Sequence, residues 1–208
     1  MARSVSVHVL WIPLGAGEAS RLVRWTGRAF ESACATIEHR APLDLYHSAL
    51  VVSVDGVRFG IEMAPAWRST AAAGEVMRSG AVGLRGLGSS RYFRYEVRCL
   101  ADGAIPDRQF AVGVVSVDTD PQRARRLLDL PREFPAATWG RDEFDAGEMW
   151  NSNSLTSWLL DRSGHDVTAV SVPAGGRAPG WQAGITVARG GQCSRRQKGP
   201  SWWPRGGG

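Results

Sequence analysis

The 208-residue chain is poor in cysteine and histidine, almost lacks lysine and has no long apolar run. Its three cysteines form no CxxC pair and have no histidine at zinc-ligand spacing, which argues against a disulfide framework and against a structural zinc site. A reducing cytoplasm fits this cysteine usage best. No apolar stretch approaches the ~20 residues that cross a bilayer, so we expect no membrane span.

The amino terminus keeps a second location open. One arginine precedes an apolar run, as in a signal peptide, but His8 and Pro13 interrupt that run. Val5, Val7 and Val9 alternate with other residues, which is typical of a strand. We therefore expect a cytoplasmic protein, with secretion as the alternative.

The net charge of +5 comes from the carboxyl-terminal segment. Five of the 25 basic residues and none of the 20 acidic residues lie in 189–208, so residues 1–188 are neutral overall. A protein that binds nucleic acid usually carries its basic excess on a folded face, so we expect no nucleic-acid partner. Residues 1–188 are predicted to form one domain, and the Gly-, Arg- and Trp-rich segment 189–208 a disordered tail.

Residue periodicity predicts an α+β fold, in which an antiparallel sheet packs against the long amino-terminal helix and the 154–163 helix. Strands are expected at about 4–12, 45–54, 57–63, 91–100 and 110–117, with a short one at 181–188. Helices are expected from Ser20 over about twenty residues, at 121–130 and at 154–163, where Gly164 ends the last one. The glycine-rich segment 69–90 is predicted to be a loop or lid.

The spacing of apolar residues in the first helix predicts which of its faces is buried. Leu22, Val23, Phe30, Ala33 and Ile37 recur at helical spacing and would pack against the sheet.

No cofactor is expected. The glycines in Gly83-Leu-Arg-Gly86-Leu-Gly88 do not have the spacing of the dinucleotide fingerprint, and the chain has no phosphate-binding loop with its lysine.

Four histidines offer candidates for a general base. His47 follows Tyr46 at the start of a strong strand, where an imidazole can face a cleft; the alternative is a strand histidine that a backbone partner satisfies. His8 lies within the first strand. His39 and His165 lie at predicted helix ends, where the helix dipole favours a cation.

A carboxylate lies on the strand that pairs with the His47 strand. Glu62 stands between the apolar residues Ile61 and Met63. It either lies on a solvated face or holds the imidazole of His47, as the acidic member of a catalytic triad does.

Ser152 is the candidate nucleophile, between Asn151 and Asn153 at a predicted helix start. Free amides and the helix dipole there stabilise an oxyanion and lower the pKa of a nucleophile. The alternative is that serine and asparagine serve only as helix caps. A rival nucleophile, Cys34, falls in the middle of an amphipathic helix and is expected to be a buried structural thiol.

These residues occur in an order that resembles a known superfamily. A Tyr-His pair opens a strand, an Ile-Glu-Met-Ala stretch lies on the next strand, and Asn-Ser-Asn-Ser-Leu starts a late helix. The order is similar to that of the circularly permuted, papain-like branch of the NlpC superfamily, which includes the PPPDE peptidases and the relatives of lecithin retinol acyltransferase. The resemblance assigns His47 and Glu62 to the catalytic base and its polar partner, and it places Ser152 where that branch has its nucleophilic cysteine.

The chain also resembles uncharacterised bacterial proteins that share the Met-Trp-Asn-Ser-Asn-Ser stretch and the Gly-Gly-Arg-Ala-Pro-Gly-Trp loop, here residues 175–181. This resemblance implies that the proteins of that group share the serine that stands here at Ser152.

The resemblance implies a hydrolase or acyltransferase that acts on an amide or ester bond of a small-molecule, peptide or lipid-like substrate. Asn151 or Asn153 would add an oxyanion donor, and Tyr46, Trp150 and Trp181 would wall the cleft, although aromatic packing is the commoner use of tryptophan. The first alternative is an inactive module that keeps the cleft to bind a peptide, lipid or acyl group. The second is nucleic-acid binding through the basic tail. No pattern indicates an oligomeric state.

Overall fold

A computed structural model describes residues 5–16, 21–67 and 74–190 and confirms an α+β fold. The described strands are β1 (Ser6–Pro13), β2 (Asp44–Val54), β3 (Val57–Pro65), β4 (Glu75–Ala81), β5 (Arg94–Ala101), β6 (Gly113–Ser116) and β7 (Gly176–Arg177). The described helices are α1 (Arg21–Ile37), α2 (Pro121–Asp129), α3 (Ser152–Ser163) and α4 (Trp181–Ala188). The predicted Ser20 cap and all but the first two residues of the predicted 189–208 tail lie outside the described residues.

The strands form a sheet in the order β4-β5-β3-β2-β1-β6, and all of these neighbours are antiparallel. The short β7 pairs in parallel with the first two residues of β2. The hairpin between β2 and β3 turns at Asp55 and Gly56, whose φ angles of +54° and +83° are those that a tight two-residue hairpin turn requires. The predicted antiparallel sheet is confirmed.

Side-chain alternation gives the sheet two faces. On one face, Tyr46, Leu50 and Val52 of β2 share a large core cluster with residues of α2, α3 and α4; we call this the helix-covered face. On the other face, Ala49 and Val51 belong to a small cluster whose remaining buried members are Leu10, Ile12 and Ile105. Because Ile105 comes from the β5–β6 connection, we call this second face the loop-covered face.

The helix-covered face holds the dense core. Helix α3 is buried along eight consecutive residues, 153–160. Beside it the ring of Phe134 stacks between Trp139 and Trp150, with ring centroids 5.8 and 4.7 Å away, and meets the edge of Trp158 at 5.4 Å. Leu155, Trp158 and Leu159, which recur at helical spacing along α3, are all buried.

Two segments differ from their predicted structure. Residues 181–188 form helix α4 and not a strand, because the chain packs closely on α3: a Cβ at Gly184 would lie 2.1 Å from Ser157 Oγ. Residues 75–81, within the predicted loop, form strand β4, which pairs with β5 through a bulge between Val76 and Arg78. An edge strand needs only one partner, which explains its polar, glycine-containing sequence.

Helix α1 buries a different face from the predicted one. Gly27, Glu31 and Cys34 are buried, whereas Ala33 and Ile37 are exposed; the side chains at 22 and 23 lie outside the described residues. A polar contact explains the change, since the Glu31 carboxylate accepts hydrogen bonds from the Leu43 amide at 2.9 Å and from Arg40. The Cys34 thiol is buried as predicted, and burial raises its pKa.

Candidate functional site

The start of β2 meets the first turn of α3. The ladder between β2 and β3 ends at Leu50 and Ile61, and β7 pairs only with Asp44 and Leu45, so residues 46–49 of β2 have no described strand on that side. The carbonyl of Leu45 accepts from Leu14 next to β1, and therefore the carbonyl of Tyr46 points the other way. There it accepts a hydrogen bond from Asn153 Nδ2 at 2.9 Å. The first turn of α3 thus takes the place of a neighbouring strand.

A buried hydroxyl extends this junction. Ser48 Oγ lies 2.9 Å from Asn153 Oδ1 and 2.9 Å from Thr156 Oγ1, and all three residues are buried. The same hydroxyl approaches the carbonyl of Ser152 at 3.5 Å. Buried polar groups are costly unless they are paired, so this network fixes the position of α3 on β2.

The predicted helix start is confirmed, and its cap is complete. Asn151 Oδ1 accepts from the amides of Asn153 and Ser154 at 2.9 and 3.3 Å, and Ser154 Oγ accepts from the Asn151 amide at 3.1 Å. This reciprocal pair is a capping box. Gly164, with a φ of +86°, ends the helix as predicted.

The 175–181 loop is tied to this cap. The carbonyl of Pro179 accepts from Asn151 Nδ2 and Asn153 Nδ2, both at 2.9 Å. The Glu148 carboxylate accepts from the Gly180 amide at 2.8 Å. Gly180 has a φ of +92°, and a Cβ there would lie 2.5 Å from Asn151 Oδ1, so this position requires glycine. The stretch from Met149 to Ser154 and the 175–181 loop therefore form one hydrogen-bonded unit.

These bonds change the predicted oxyanion donors. Asn153 is buried and donates both amide hydrogens to carbonyls, so it has no donor left for an oxyanion in this arrangement. The cap also occupies the amides of Asn153 and Ser154. Among the described residues, the Ser152 amide and the second Nδ2 hydrogen of Asn151 have no hydrogen-bond acceptor, so these two donors remain.

Ser152 differs from the other polar residues of its motif. Its hydroxyl makes no hydrogen bond with any described residue, whereas the side chains of Asn151, Asn153 and Ser154 are all engaged. Ser152 is half-buried in the first turn of a twelve-residue helix, whose dipole favours negative charge at that end. The motif thus holds one unbonded hydroxyl in a fixed backbone position.

The other two predicted catalytic residues share one face of the sheet. His47 pairs with Ile12, and Glu62 pairs with Arg98; both alternate with residues of the helix-covered face, so both side chains belong to the loop-covered face. His47 is the neighbour of Ser48 in the chain, and it therefore lies at the strand edge that the first turn of α3 occupies. The fold brings the elements that carry His47 and Ser152 together: α3 packs on the helix-covered face at this edge, and the His47 side chain belongs to the other face.

Sequence reasoning missed a buried cation next to Glu62. Arg98 lies directly opposite Glu62 on β5, and its side chain is buried. The guanidinium binds Glu96 Oε2 at 2.9 and 3.2 Å and donates to the carbonyl of Pro65 at 3.3 Å. A signal existed, since Arg94, Glu96 and Arg98 recur every second residue along β5.

Two of the three predicted cleft residues, Trp150 and Trp181, lie in the core. Trp150 is buried in the aromatic core and donates to the Pro135 carbonyl at 3.2 Å, and Trp181 is buried against Trp11 with ring centroids 5.2 Å apart. Both rings serve the core packing that was the alternative. Tyr46 is largely buried, and it lines one end of a groove of about 770 Å³ between the end of β1, α1 and the start of β2.

At His165, burial opposes the cation that the helix dipole favours. Its ring is buried, with Nδ1 2.7 Å from Ser163 Oγ. Burial lowers the pKa of His165, and the nearby Asp118 offsets this only in part. His8, by contrast, lies on β1 with its Nδ1 3.1 Å from Ser116 Oγ.

Within the described ranges, no group of three or more His, Cys, Asp or Glu side chains is placed to hold a metal ion. No helix in the described part of the chain is both long enough and apolar enough to cross a bilayer. Comparisons of the chain with protein-family models, with curated proteins and with solved structures give no match.

Proposed function

We propose that this protein transfers or hydrolyses an acyl group, with Ser152 as the nucleophile. The proposal rests on the hydrogen bonds of the Asn151–Ser154 motif. Three of its four side chains bind other groups and hold the helix start in place. The Ser152 hydroxyl, by contrast, makes no hydrogen bond with a described residue. A nucleophile needs a fixed backbone and a free reacting atom, and this arrangement supplies both.

In the proposed reaction, Ser152 Oγ attacks the carbonyl carbon of an ester or amide while His47 accepts the hydroxyl proton. The tetrahedral intermediate collapses, the bond to the leaving group breaks, and His47 returns the proton to the departing alcohol or amine. Water or an acceptor alcohol or amine then attacks the acyl-serine in the same way, again with His47 as the base. Glu62 orients the imidazole and stabilises its charged form.

The oxyanion would bind the two donors that the cap leaves unused, the Ser152 amide and Asn151 Nδ2. Removing one such donor in a serine hydrolase lowers kcat by about 100-fold or more. Asn151→Ala would therefore affect the reaction directly, in addition to its effect on the helix cap.

The permuted papain-like architecture is part of the same proposal. Two features support it: the His47 strand precedes the Ser152 helix in the chain, and the first turn of that helix lies on the edge of the His47 strand.

One test replaces the proposed nucleophile by cysteine, the nucleophile of the superfamily that the chain resembles. A thiol at Ser152→Cys would be activated by the helix start and by His47, so iodoacetamide should alkylate it at pH 6 at least about tenfold faster than the free cysteine Cys99. Burial raises the pKa of Cys99, which makes it an unreactive internal reference. Peptide mass spectrometry measures both rates in one sample.

The matched histidine variants decide the role of His47. Adding His47→Ala to Ser152→Cys should slow this alkylation at pH 6 by about tenfold, because the thiolate loses its cationic partner. His8→Ala, a change on the adjacent strand and on the same sheet face, should leave the rate unchanged. Equal rates in all three proteins would refute an active pair of Ser152 and His47.

The second candidate function is a binding module without catalysis. The hydrogen bonds of Asn153 favour a binding module. Both of its amide hydrogens bind carbonyl oxygens, so one of the two expected oxyanion donors is already in use. A fluorophosphonate probe separates the two functions. The wild-type protein should be labelled at Ser152, and His47→Ala should abolish the labelling; a folded wild-type protein that stays unlabelled supports the module.

A further inference from the structure

The connection between β4 and β5 exposes an unusual number of large apolar side chains. Leu84, Leu87, Tyr92 and Phe93 are 59%, 39%, 69% and 47% exposed within ten residues of chain. Monomeric proteins rarely expose contiguous large apolar groups unless they bind something. We call these four residues, with Arg85 and Arg91, the arginine-rimmed patch.

Hydrogen bonds within the β4–β5 connection hold the loop that carries the patch. The amide of Val82 donates to the Phe93 carbonyl at 2.8 Å, which closes the loop, and the amide of Leu87 donates to the Leu84 carbonyl at 3.1 Å. At the other turn the Ser90 hydroxyl accepts from the Tyr92 amide at 3.4 Å. The apolar side chains therefore point to solvent from a fixed loop.

Within the loop that carries the patch, the charged side chains are all positive, and Glu143, which contacts Arg85, comes from another segment. Residues 81–95 contain three arginines and no acid. The Arg85 side chain is 84% exposed although it touches Glu143 at 3.1 Å, and Arg91 lies 5.8 Å from the centre of the Tyr92 ring. Exposed aromatic rings, arginines and aliphatic side chains on one loop match the headgroup layer of an anionic bilayer.

The position of the patch relates it to the candidate site. Strand β4 ends and strand β5 begins at the Ala81–Arg94 pair. The Pro65–Tyr95 pair of β3 and β5 lies next to it. Because β2 runs antiparallel to β3, this is the end of the sheet at which β2 begins. The patch thus lies at the same end of the sheet as the first turn of α3.

We propose that the arginine-rimmed patch docks this protein on the surface of an anionic lipid bilayer. The aliphatic leucines favour a bilayer over a single-stranded nucleic acid, since bases stack on aromatic rings and not on leucine. Docking does not depend on the reactivity of Ser152, so Ser152→Ala should bind vesicles as the wild type does.

The test is sedimentation of the full chain with vesicles of phosphatidylcholine alone or of phosphatidylcholine with phosphatidylserine. Wild-type protein should bind the mixed vesicles and bind the neutral ones much more weakly. The double variant Leu84→Ser/Leu87→Ser should weaken binding by about tenfold or more, through lost apolar insertion. Arg85→Gln/Arg91→Gln should weaken it by about fivefold for each arginine, and only on the anionic vesicles.

The opposite edge of the sheet offers a matched control. Val112 and Val114 are 58% and 60% exposed at β6, so Val112→Ser/Val114→Ser removes a similar apolar area elsewhere and should leave binding unchanged. A variant with Arg195, Arg196 and Lys198 replaced by glutamine tests the basic carboxyl-terminal segment separately.

Three results would overturn the proposal. Wild-type protein could stay in the supernatant with both vesicles, or the two patch variants could bind as well as the control. Binding of a single-stranded oligonucleotide that the patch variants abolish, without vesicle binding, would assign the patch to nucleic acid instead. Circular dichroism melting of each variant shows that its fold is intact.

Discussion

The two faces of the sheet are built on different chemistry. The helix-covered face packs three helices and a stack of aromatic rings around Phe134. The loop-covered face has a small apolar cluster and, close to it, the charged residues Glu62 and Arg98 together with His47. Stability therefore concentrates on one face, and ionisable groups that could serve chemistry collect on the other.

The largest expected effect tests the difference in packing. Phe134→Ala should lower the free energy of unfolding by about 4 kcal/mol, because it leaves a cavity among three tryptophans. The same change at Phe110, which is exposed in the connection near the loop-covered face, should cost about 0.5 kcal/mol. Urea unfolding measures both; similar losses would show that the two sides contribute alike.

The next effect tests the charges. Arg98→Met leaves Glu96 without its closest cation in a largely buried site, which should cost about 3 kcal/mol. Arg125→Met removes a bidentate but half-exposed pair with Asp55 and should cost about 0.5 kcal/mol. If chemical denaturation finds Arg98→Met as mild as Arg125→Met, the buried cation contributes no more than a surface one.

A third comparison separates stability from reactivity within the Asn-Ser-Asn-Ser motif. Asn153→Ala should lower the free energy of unfolding by about 2 kcal/mol, since the carbonyls of Tyr46 and Pro179 lose their shared donor. Ser152→Ala should change it by less than about 0.5 kcal/mol, because its hydroxyl makes no hydrogen bond with a described residue. Thermal melts check both, and a large loss in Ser152→Ala would mean that this serine is structural.

The smallest effect is a dependence on pH. The pKa of His165 is lowered in the folded protein, so the unfolded chain binds more protons as the pH falls through the ordinary histidine value of 6.5. Stability should therefore decrease on going from about pH 7.5 to about pH 5.5, and His165→Gln should reduce this decrease. Melting temperatures at the two pH values test the sign; a wild-type protein that becomes more stable in acid contradicts it.

Local sequence signals predicted the elements that rest on local physics. The turn at 55–56 between the predicted strands 45–54 and 57–63, the start of the predicted helix at 121 and the helix start at Ser152 depend on neighbouring residues only, and each was confirmed. The apolar, β-branched residues of 45–54 and 57–63 also placed β2 and β3 correctly.

The predictions that differ from the structure concern segments whose conformation depends on tertiary contacts. The segment 181–188 was predicted to be a strand, yet it forms a helix whose close approach to α3 at Gly184 no local pattern encodes. The buried face of α1 depends on the Glu31 contacts with Arg40 and Leu43, which come from after the helix. The helix-dipole argument for His165 left out the burial of its ring, which lowers its pKa.

For the candidate site, the sequence identified the helix start that carries Ser152 but not what its neighbours do. Asn153 could be a cap, an oxyanion donor or a strand contact from its position alone, and only the fold reveals that Tyr46 and Pro179 occupy its hydrogens. Arg98 escaped notice because the residue opposite it, Glu62, lies on another strand.

The ties between the α3 cap and the 175–181 loop also have a consequence for hydrogen exchange. Asn151, Asn153 and Glu148 bind Pro179 and Gly180, so the loop cannot open while the first turn of α3 stays closed. We expect the amides of Asn153, Ser154 and Gly180 to exchange with deuterium at one common, slow rate, as a single cooperative unit, although they lie far apart in the chain.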